Sequence, residues 1–378
     1  MSSNIIKFLE SSSIENPCLV IDIKVVEKSF SKIQKAYLGS DIFYAVKANP
    51  AKEILESLNR MGSKFDVSSR KEIELCLSLG IEPSKLSYGN TLKKSDDIAW
   101  AYKNGVSLYV FDAVEELYKI SDNAPGSRVF CRLQVPNQGA HWPLSNKFGC
   151  SKDMAKELLL LANTIGLLPV GISFHVGSQQ TNIKKWEKAL VMCKEVYLFL
   201  KKNKINIDFI NIGGGIPISY LEDSYNFDIF SRELNRVLRN VFDNNTPNIM
   251  LEPGRFIVAD AGIIESEVIL VSKKQLNQKN RWVYLDIGRF GGLAETEGEA
   301  IRYKMEVKGN QGNKGPVIIA GPTCDGVDIL YEKSSYQFPL RLKAGDKVRI
   351  YSTGAYTSVY GSNFNGMPKL KEYFINSN

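Results

Sequence analysis

Histidine is scarce in this chain, with two in 378 residues, and the six cysteines include no pair spaced as Cys-x-x-Cys. Neither residue type shows the spacing of a metal-binding motif, so we expect no metal site. The cysteines, several of them inside apolar segments, stand at positions 18, 76, 131, 150, 193 and 324. This usage indicates reduced thiols and a cytoplasmic protein.

Long apolar runs are also missing. The most apolar stretch, 158–174, is interrupted by Asn163, Gly166, Pro169 and Gly171, and the N-terminus has no signal-peptide core. We therefore expect no membrane span and no secretion. The net charge is +7, but lysines are scattered with acidic residues between them. Because no basic stripe is interleaved with aromatics, nucleic acid is not an expected partner.

What the sequence does contain is a repeated unit, an apolar strand that runs into a polar or glycine-rich break. Helical stretches such as 51–61 and 184–201 lie between these strands. The predicted strands are 43–46, 65–67, 86–88, 108–111, 129–131, 171–174, 209–212 and 249–251. Strands that alternate with helices give a parallel sheet, and eight such units predict an α/β fold with a closed (β/α)8 barrel over 23–260.

A second region, 261–378, lacks the helical period and has short β-rich runs instead. These runs are 262–271, 282–286, 317–320 and 347–352, with turn residues between them. They predict a C-terminal antiparallel β domain. The N-terminal segment 1–22 contains an apolar run at 18–22, which either joins that β domain or leads into the barrel.

Several breaks after the barrel strands carry a chemically useful residue, at the strand ends where such barrels build their active sites. Lys47 ends the first strand, where desolvation would lower the pKa of its amine, as a Schiff-base lysine needs. His175 follows the sixth strand and offers an acid, a base, a metal ligand or a flat platform for a ring, although no second ligand stands at metal-binding spacing. Glu252 ends the eighth strand as a carboxylate that needs a partner, either Arg255 or a protonated ring nitrogen.

Glycines follow the last two barrel strands. Backbone N–H groups of a glycine loop approach phosphate oxygens closely, and an arginine adds a forked cation. The residues concerned are Gly213, Gly214 and Gly215, then Gly254 and Arg255, with Ser178 on a neighbouring loop. An amine, a phosphate cradle, a flat imidazole and a ring-nitrogen carboxylate together predict pyridoxal phosphate (PLP) as the cofactor.

The second region adds two candidate segments. Cys324 places a thiol directly beside Asp325 in a loop rich in glycine and proline, although a stray surface cysteine is the alternative interpretation. Tyr356 has a hydroxyl that reaches either phosphate or substrate, unless its ring only packs in the core.

Six motifs in this order resemble those of the fold-type III PLP-dependent basic amino acid decarboxylases, most closely the bacterial ornithine decarboxylases. They are YAVKAN at 44–49, HVGS at 175–178, GGG at 213–215, EPGR at 252–255, CDG at 324–326 and GAYT at 354–357. The segment LDIGRFGGLAET at 285–296 is similar to a stretch typical of the bacterial enzymes. The resemblance covers essentially the whole chain.

The resemblance implies decarboxylation of L-ornithine to putrescine and CO2, a step of polyamine biosynthesis. Lys47 would carry the cofactor, His175 would stack on its ring, and Glu252 would keep the ring nitrogen protonated. Asp66 and Arg132 match positions near the cofactor. The phosphate would be held by Ser178, Gly213, Gly214, Gly215, Gly254, Arg255 and Tyr356.

The resemblance also assigns roles in the β domain. Cys324 would protonate the α-carbon after CO2 leaves, and Asp325 would bind the distal ammonium of the substrate. Both would reach the active site of the other subunit in a head-to-tail homodimer. Each active site would then be shared between two chains.

One position departs from the family pattern. Eukaryotic members carry a second substrate-binding aspartate after a tyrosine, where this chain has Tyr303 and Lys304. An acid at Glu295, Glu297 or Glu299 would have to replace it, and we prefer Glu295. The length of the substrate tail stays open, with ornithine first, lysine or mixed ornithine and lysine second, and arginine third.

Other activities fit less well. Diaminopimelate would bring its distal carboxylate against Asp325. An amino-acid racemase on the same barrel typically uses a tyrosine as its second acid or base, whereas this chain has a decarboxylase-like Cys324 motif. A non-catalytic, cofactor-binding regulatory homologue usually lacks the lysine, the cysteine or the second domain, and this chain has all three.

Overall fold

The computed structural model describes residues 3–12, 14–135, 140–142, 147–221, 225–243, 247–309 and 312–376. The helices are α1 (Ser3–Ser11), α2 (Ile23–Ala36), α3 (Lys52–Arg60), α4 (Arg70–Ser78), α5 (Ser95–Lys103), α6 (Val114–Asn123), α7 (Lys152–Thr164), α8 (Ile183–Lys202), α9 (Phe227–Val241) and α10 (Arg255–Val258). The strands of the first 260 residues are β1 (Cys18–Asp22), β2 (Asp41–Ala45), β3 (Lys64–Val67), β4 (Leu86–Tyr88), β5 (Leu108–Phe111), β6 (Arg128–Arg132), β7 (Ala140–Trp142), β8 (Leu168–Ser173), β9 (Ser178–Gln180), β10 (Phe209–Asn211) and β11 (Asn248–Leu251). The remaining strands are β12 (Gly262–Ser272), β13 (Arg281–Leu285), β14 (Met305–Val307), β15 (Lys314–Ala320), β16 (Ile329–Tyr331), β17 (Gln337–Pro339), β18 (Lys347–Tyr351) and β19 (Lys371–Ile375).

The eight predicted barrel strands are confirmed. They close into a parallel barrel in the order β2-β3-β4-β5-β6-β8-β10-β11, with β11 pairing back to β2. Their runs are almost continuously apolar because helices cover one face and the barrel core covers the other. The interior is filled by a buried cluster of Phe43, Leu108, Val110, Phe130, Val170, Phe209 and Met250.

Local signals set the helix that follows β3. The Ser69 hydroxyl caps α4 by accepting a hydrogen bond from the Glu72 N–H, and the Glu72 carboxylate accepts one from the Ser68 N–H. This reciprocal arrangement satisfies backbone donors that the first turn of a helix leaves open. It fixes the chain just after β3, the strand that contains Asp66.

The predicted β domain is confirmed as a curled, mainly antiparallel sheet of nine strands. Two pairs in it are parallel, β13 with β15 and β1 with β19. The N-terminal run 18–22, whose place the sequence left open, pairs antiparallel with β12 as well. It therefore belongs to this sheet.

Packing divides the chain into two compact units. The barrel unit is Phe30–Pro217 with Tyr225–Gly254, and the β unit is Met1–Ser29, Ile218–Ser224 and Arg255–Asn378. The domain limits predicted from sequence, at 22/23 and 260/261, stay a prediction. Within the described residues, no helix is long and apolar enough to cross a membrane.

Candidate active site

Lys47 lies just beyond β2, in a single 3-10 turn formed by Val46–Ala48. Its amine donates a hydrogen bond to Asp66 Oδ2 at 3.1 Å. The Lys47 side chain is 47% exposed, whereas that of Asp66 is 1% exposed. Our expectation that Lys47 is desolvated was therefore wrong. What sets Lys47 apart is that a partly exposed amine at a barrel strand end contacts a buried carboxylate.

Asp66 is held against Lys47 by a neighbour that has no side chain. A Cβ atom at Gly89, which follows β4, would lie 1.7 Å from Asp66 Oδ1. Only glycine leaves room for the carboxylate there. Asp66 Oδ1 is buried and accepts no hydrogen bond from the residues that the structure describes, which is a costly state for a carboxylate oxygen. Asp66 Oδ1 can therefore accept a hydrogen bond from a bound cofactor or substrate.

His175 follows β8 and is held as a neutral ring. The Gly177 N–H donates to His175 Nδ1 at 3.0 Å, so Nε2 carries the proton in the neutral ring. His175 is only partly exposed. Desolvation, aided by the positive charges of Arg132 and Lys47, lowers the pKa of His175 to about 3. A neutral imidazole at physiological pH suits stacking on a ring better than donating a proton.

Glu252 follows β11 and receives a hydrogen bond of 2.6 Å from Asn211 Nδ2. Burial, followed by repulsion from Asp66, raises the pKa of Glu252 above its ordinary range, while Lys47, Asn211 and Arg132 act in the opposite direction. Such a carboxylate gains from a cationic or N–H partner, since either would favour its charged form.

The three glycines after β10 are needed because three loops pack backbone against backbone. Gly215 has φ +85°, and a Cβ there would lie 2.3 Å from the Gly177 carbonyl oxygen. A Cβ at Gly214 would lie 2.6 Å from the Glu252 carbonyl oxygen. Within the described part of the chain, the N–H groups of Gly214 and Gly215 donate no hydrogen bond. Two adjacent N–H donors in a glycine loop fit a phosphate group.

Ser178 and Gly254 flank this glycine loop in the barrel unit. Ser178 begins β9, and the Gln180 N–H at the end of the same strand donates to the Gly215 carbonyl at 3.1 Å. Gly254 is buried two residues beyond Glu252. The amine, the open Asp66 oxygen, the Glu252 carboxylate and the free glycine N–H groups together fit PLP.

In the β unit, Arg255 forms a buried, two-fold ion pair with Glu295. Its two terminal nitrogens donate to the Glu295 carboxylate at 2.7 and 2.6 Å, and one of them also donates to the Tyr220 hydroxyl at 2.9 Å. The Tyr356 ring centre is 4.8 Å from the guanidinium carbon. Both carboxylate oxygens of Glu295 thus bind Arg255. If Glu295 also binds the substrate tail, as predicted, it must do so while it keeps the ion pair with Arg255.

Cys324 and Asp325 are exposed on a loop that Asp328 anchors. The buried Asp328 carboxylate accepts hydrogen bonds from the Arg289 N–H and from the N–H and hydroxyl of Thr323, at 2.7 to 3.1 Å. The Cys324 N–H donates to the Asn365 side chain at 3.0 Å. The loop therefore presents its thiol outward from a fixed base.

Comparison with known proteins identifies this arrangement. Residues 23–259 match the family model of the pyridoxal-dependent decarboxylases, pyridoxal binding domain. The chain belongs to the fold-type III PLP-dependent decarboxylases. The decarboxylase is 32% identical over 355 residues to a lysine/ornithine decarboxylase of Selenomonas ruminantium, covering 93% of this chain and 88% of the relative.

Solved structures agree with this assignment. The decarboxylase is similar to SrLDC in complex with PLP and cadaverine, with 30% identity, a TM-score of 0.88 and coverage of 100% and 94% of the two chains. It is also similar to the lysine/ornithine decarboxylase of Vibrio vulnificus complexed with putrescine, with 28% identity, a TM-score of 0.89 and coverage of 100% and 99%. The decarboxylase activity, the PLP cofactor and the predicted family are thereby confirmed.

The barrel unit of the decarboxylase contains ten of the predicted site residues, at or near the C-terminal ends of its strands. These residues are Lys47, Asp66, Arg132, His175, Ser178, Gly213, Gly214, Gly215, Glu252 and Gly254. Sequence reasoning missed Gly89, Asn211 and Asp328, each of which fixes a predicted site residue or its loop. The individual roles of the predicted site residues in cofactor and substrate binding stay predictions.

Proposed function

We propose that this decarboxylase converts L-ornithine to putrescine and CO2 and accepts lysine as a second substrate. The observation that carries the proposal is the contact of Lys47 with the buried Asp66 at the C-terminal end of the barrel. The Selenomonas relative, named for both substrates, supports the mixed specificity. Polyamine biosynthesis is the process that putrescine formation would serve.

In the barrel unit, this chain's residues would bind and orient the cofactor. Lys47 would hold it through its amine, with Asp66 accepting the hydrogen bond of that amine. Glu252 would place its negative charge at the ring nitrogen, and neutral His175 would lie flat against the ring. When bound, PLP supplies an electron sink for the electron pair that remains when CO2 departs.

Among the proposed phosphate contacts, the barrel unit would contribute N–H donors and the Ser178 hydroxyl. The free N–H groups of Gly214 and Gly215 support this assignment, and Ser178 begins the strand that bonds to Gly215. Gly213, Gly254, Arg255 and Tyr356 are the remaining proposed contacts. Arg255 would bring its charge already paired with Glu295, which would limit how strongly it attracts the phosphate.

For the substrate, we propose that Cys324 donates a proton to the α-carbon and that Asp325 binds the distal ammonium. A proton donor in contact with bulk water could not exclude water from the reaction. Cys324 and Asp325 are both exposed in the single chain. The proposed roles of Cys324 and Asp325 therefore require another surface that shields them from bulk water.

We propose that a second copy of the chain supplies that surface in a head-to-tail homodimer with shared active sites. Val327 in the Cys324 loop is exposed, and so are Val359, Tyr360 and Phe364 in the segment that precedes Asn365, the partner of the Cys324 N–H. Exposed apolar side chains support an interaction surface where they form one patch. We also propose a cytoplasmic location, because all six cysteines are free and five are buried.

Substrate choice is tested by incubating the purified holoenzyme with ornithine, lysine, arginine or diaminopimelate. We expect putrescine from ornithine to form fastest, cadaverine from lysine second, and little agmatine. Amine chromatography and CO2 release are the measurements. D-ornithine without CO2 would instead indicate a racemase, and agmatine as the main product would contradict the proposed tail length.

The role of Asp66 is tested by Gly89→Ala. The added methyl would collide with Asp66 Oδ1, so we expect the carboxylate to move away from Lys47 and PLP affinity to fall by about tenfold, the scale of a lost hydrogen bond to a charged group. PLP titration of the apoprotein measures this effect. Gly312→Ala is the control, since its Cβ would meet nothing within 4 Å. Equal PLP affinity in both variants would remove Asp66 from the site.

A further inference from the structure

Asn211, at the end of β10, makes two hydrogen bonds that fix the direction of its amide. Its side chain is fully buried. Oδ1 accepts the Gly213 N–H at 2.8 Å, and Nδ2 donates to Glu252 Oε1 at 2.6 Å. Because the oxygen faces an N–H donor, the NH2 group must face the carboxylate. The Asn211 amide therefore always presents a donor to Glu252.

Glu252 depends on this donor because most of its other surroundings are charged. Asp66 on β3 repels its negative charge, while Lys47 after β2 and Arg132 on β6 attract it. Asn211 is the neutral group among these neighbours and supplies a short, directed contact. The second hydrogen bond of Asn211, from the Gly213 N–H, connects Glu252 to the glycine loop. The Gly213 carbonyl in turn accepts the Glu252 N–H at 2.8 Å.

We propose that Asn211 is a positioning residue that holds the Glu252 carboxylate in the orientation needed to meet the cofactor ring nitrogen. It also couples that carboxylate to the phosphate-binding glycine loop. The proposal rests on the role given to Glu252 under the proposed function. Asn211 itself touches no reacting atom.

A double-mutant cycle on PLP affinity tests this proposal without measuring activity. The four apoproteins are wild type, Asn211→Leu, Glu252→Ala and the double variant, each titrated with PLP. Leucine has the same branching as asparagine, although its methyl groups are bulkier, and it removes both hydrogen bonds. We expect Asn211→Leu to weaken PLP binding by about tenfold when Glu252 is present and by less than about threefold in the Glu252→Ala background. The residual factor reports the lost Gly213 contact.

The outcomes of the cycle separate the two claims. If Asn211→Leu costs the same factor in both backgrounds, Asn211 does not act through Glu252 and the inference is wrong. If Glu252→Ala alone leaves PLP affinity unchanged, the proposed function of Glu252 fails instead.

Asn211→Asp provides a second readout in case the leucine variant does not fold. Aspartate still accepts the Gly213 N–H but puts a second carboxylate against Glu252, so this pair would hold a shared proton with a raised pKa. Stability that depends on that proton is present at low pH and is lost as the pH rises through the raised pKa. We therefore expect the Tm of apo Asn211→Asp to fall below that of wild type progressively as the pH rises from about 5 to about 8.

Asn235→Asp is the matched control, because the Asn235 amide also donates to a neighbour, the Ala36 carbonyl at 2.9 Å. The Tm difference between this control and wild type should not grow in the same pH window. An Asn211→Asp protein whose Tm follows wild type at every pH would overturn the inference.

Discussion

Lys47→Ala is expected to remove the visible absorbance of bound PLP from the purified protein and to lower decarboxylation by three orders of magnitude or more, roughly the upper range for loss of one catalytic group. The reason is that Lys47 is the amine that lies against the buried Asp66 carboxylate. Absorbance spectra and amine formation measure the two effects. Lys64→Ala is the control, since Lys64 is also partly exposed and also pairs with an aspartate, Asp41.

A second lysine, Lys93, is the competing candidate for the cofactor linkage. Lys93 is fully buried, pairs with Glu116, and has a pKa that desolvation lowers to about 8. By desolvation alone, Lys93 would be the better Schiff-base candidate. Persistence of the absorbance band in Lys47→Ala would show that Lys47 does not hold the cofactor.

Cys324→Ala is expected to slow product formation by about 10²- to 10⁴-fold, the usual contribution of a positioned acid or base, while leaving PLP absorbance unchanged. Cys324 is exposed, so the substitution opens no cavity and should not lower the Tm. Steady-state rates with ornithine measure the effect. Leu276→Ala, which shortens another exposed side chain, is the control, and turnover of Cys324→Ala equal to wild type would exclude Cys324 from the mechanism.

Mixing the two inactive variants tests the shared active site. In a randomly mixed head-to-tail dimer, half of the molecules contain one subunit of each kind and one intact site, so about a quarter of wild-type activity should return. Activity that stays at the level of the separate variants after subunit exchange would contradict shared sites.

The barrel was predictable because each strand is a short apolar run bounded by turn residues. The predicted limits differ from the observed ones by one or two residues at either end of several strands, and by three residues at the start of one. The sixth predicted strand began at Gly171, whereas β8 begins at Leu168, because Pro169 and Gly171 weaken a strand pattern. Gly171 is there for packing, since a Cβ would lie 2.4 Å from the Phe209 ring.

The chemical residues were predictable where one residue follows one strand, as with Lys47, His175 and Glu252. Their surroundings were not, because they depend on which loops meet in space. Asn211 lies 41 positions from Glu252, and nothing in the local sequence indicates that contact. The ion pair of Glu295 with Arg255, 40 positions away, was hidden for the same reason.

The most direct test of the account is to reduce the PLP-loaded protein with borohydride, digest it and locate the attached pyridoxyl group by mass spectrometry. The account predicts that the group is found on Lys47. Its attachment to Lys93 or to any other lysine, or to none, would contradict the account.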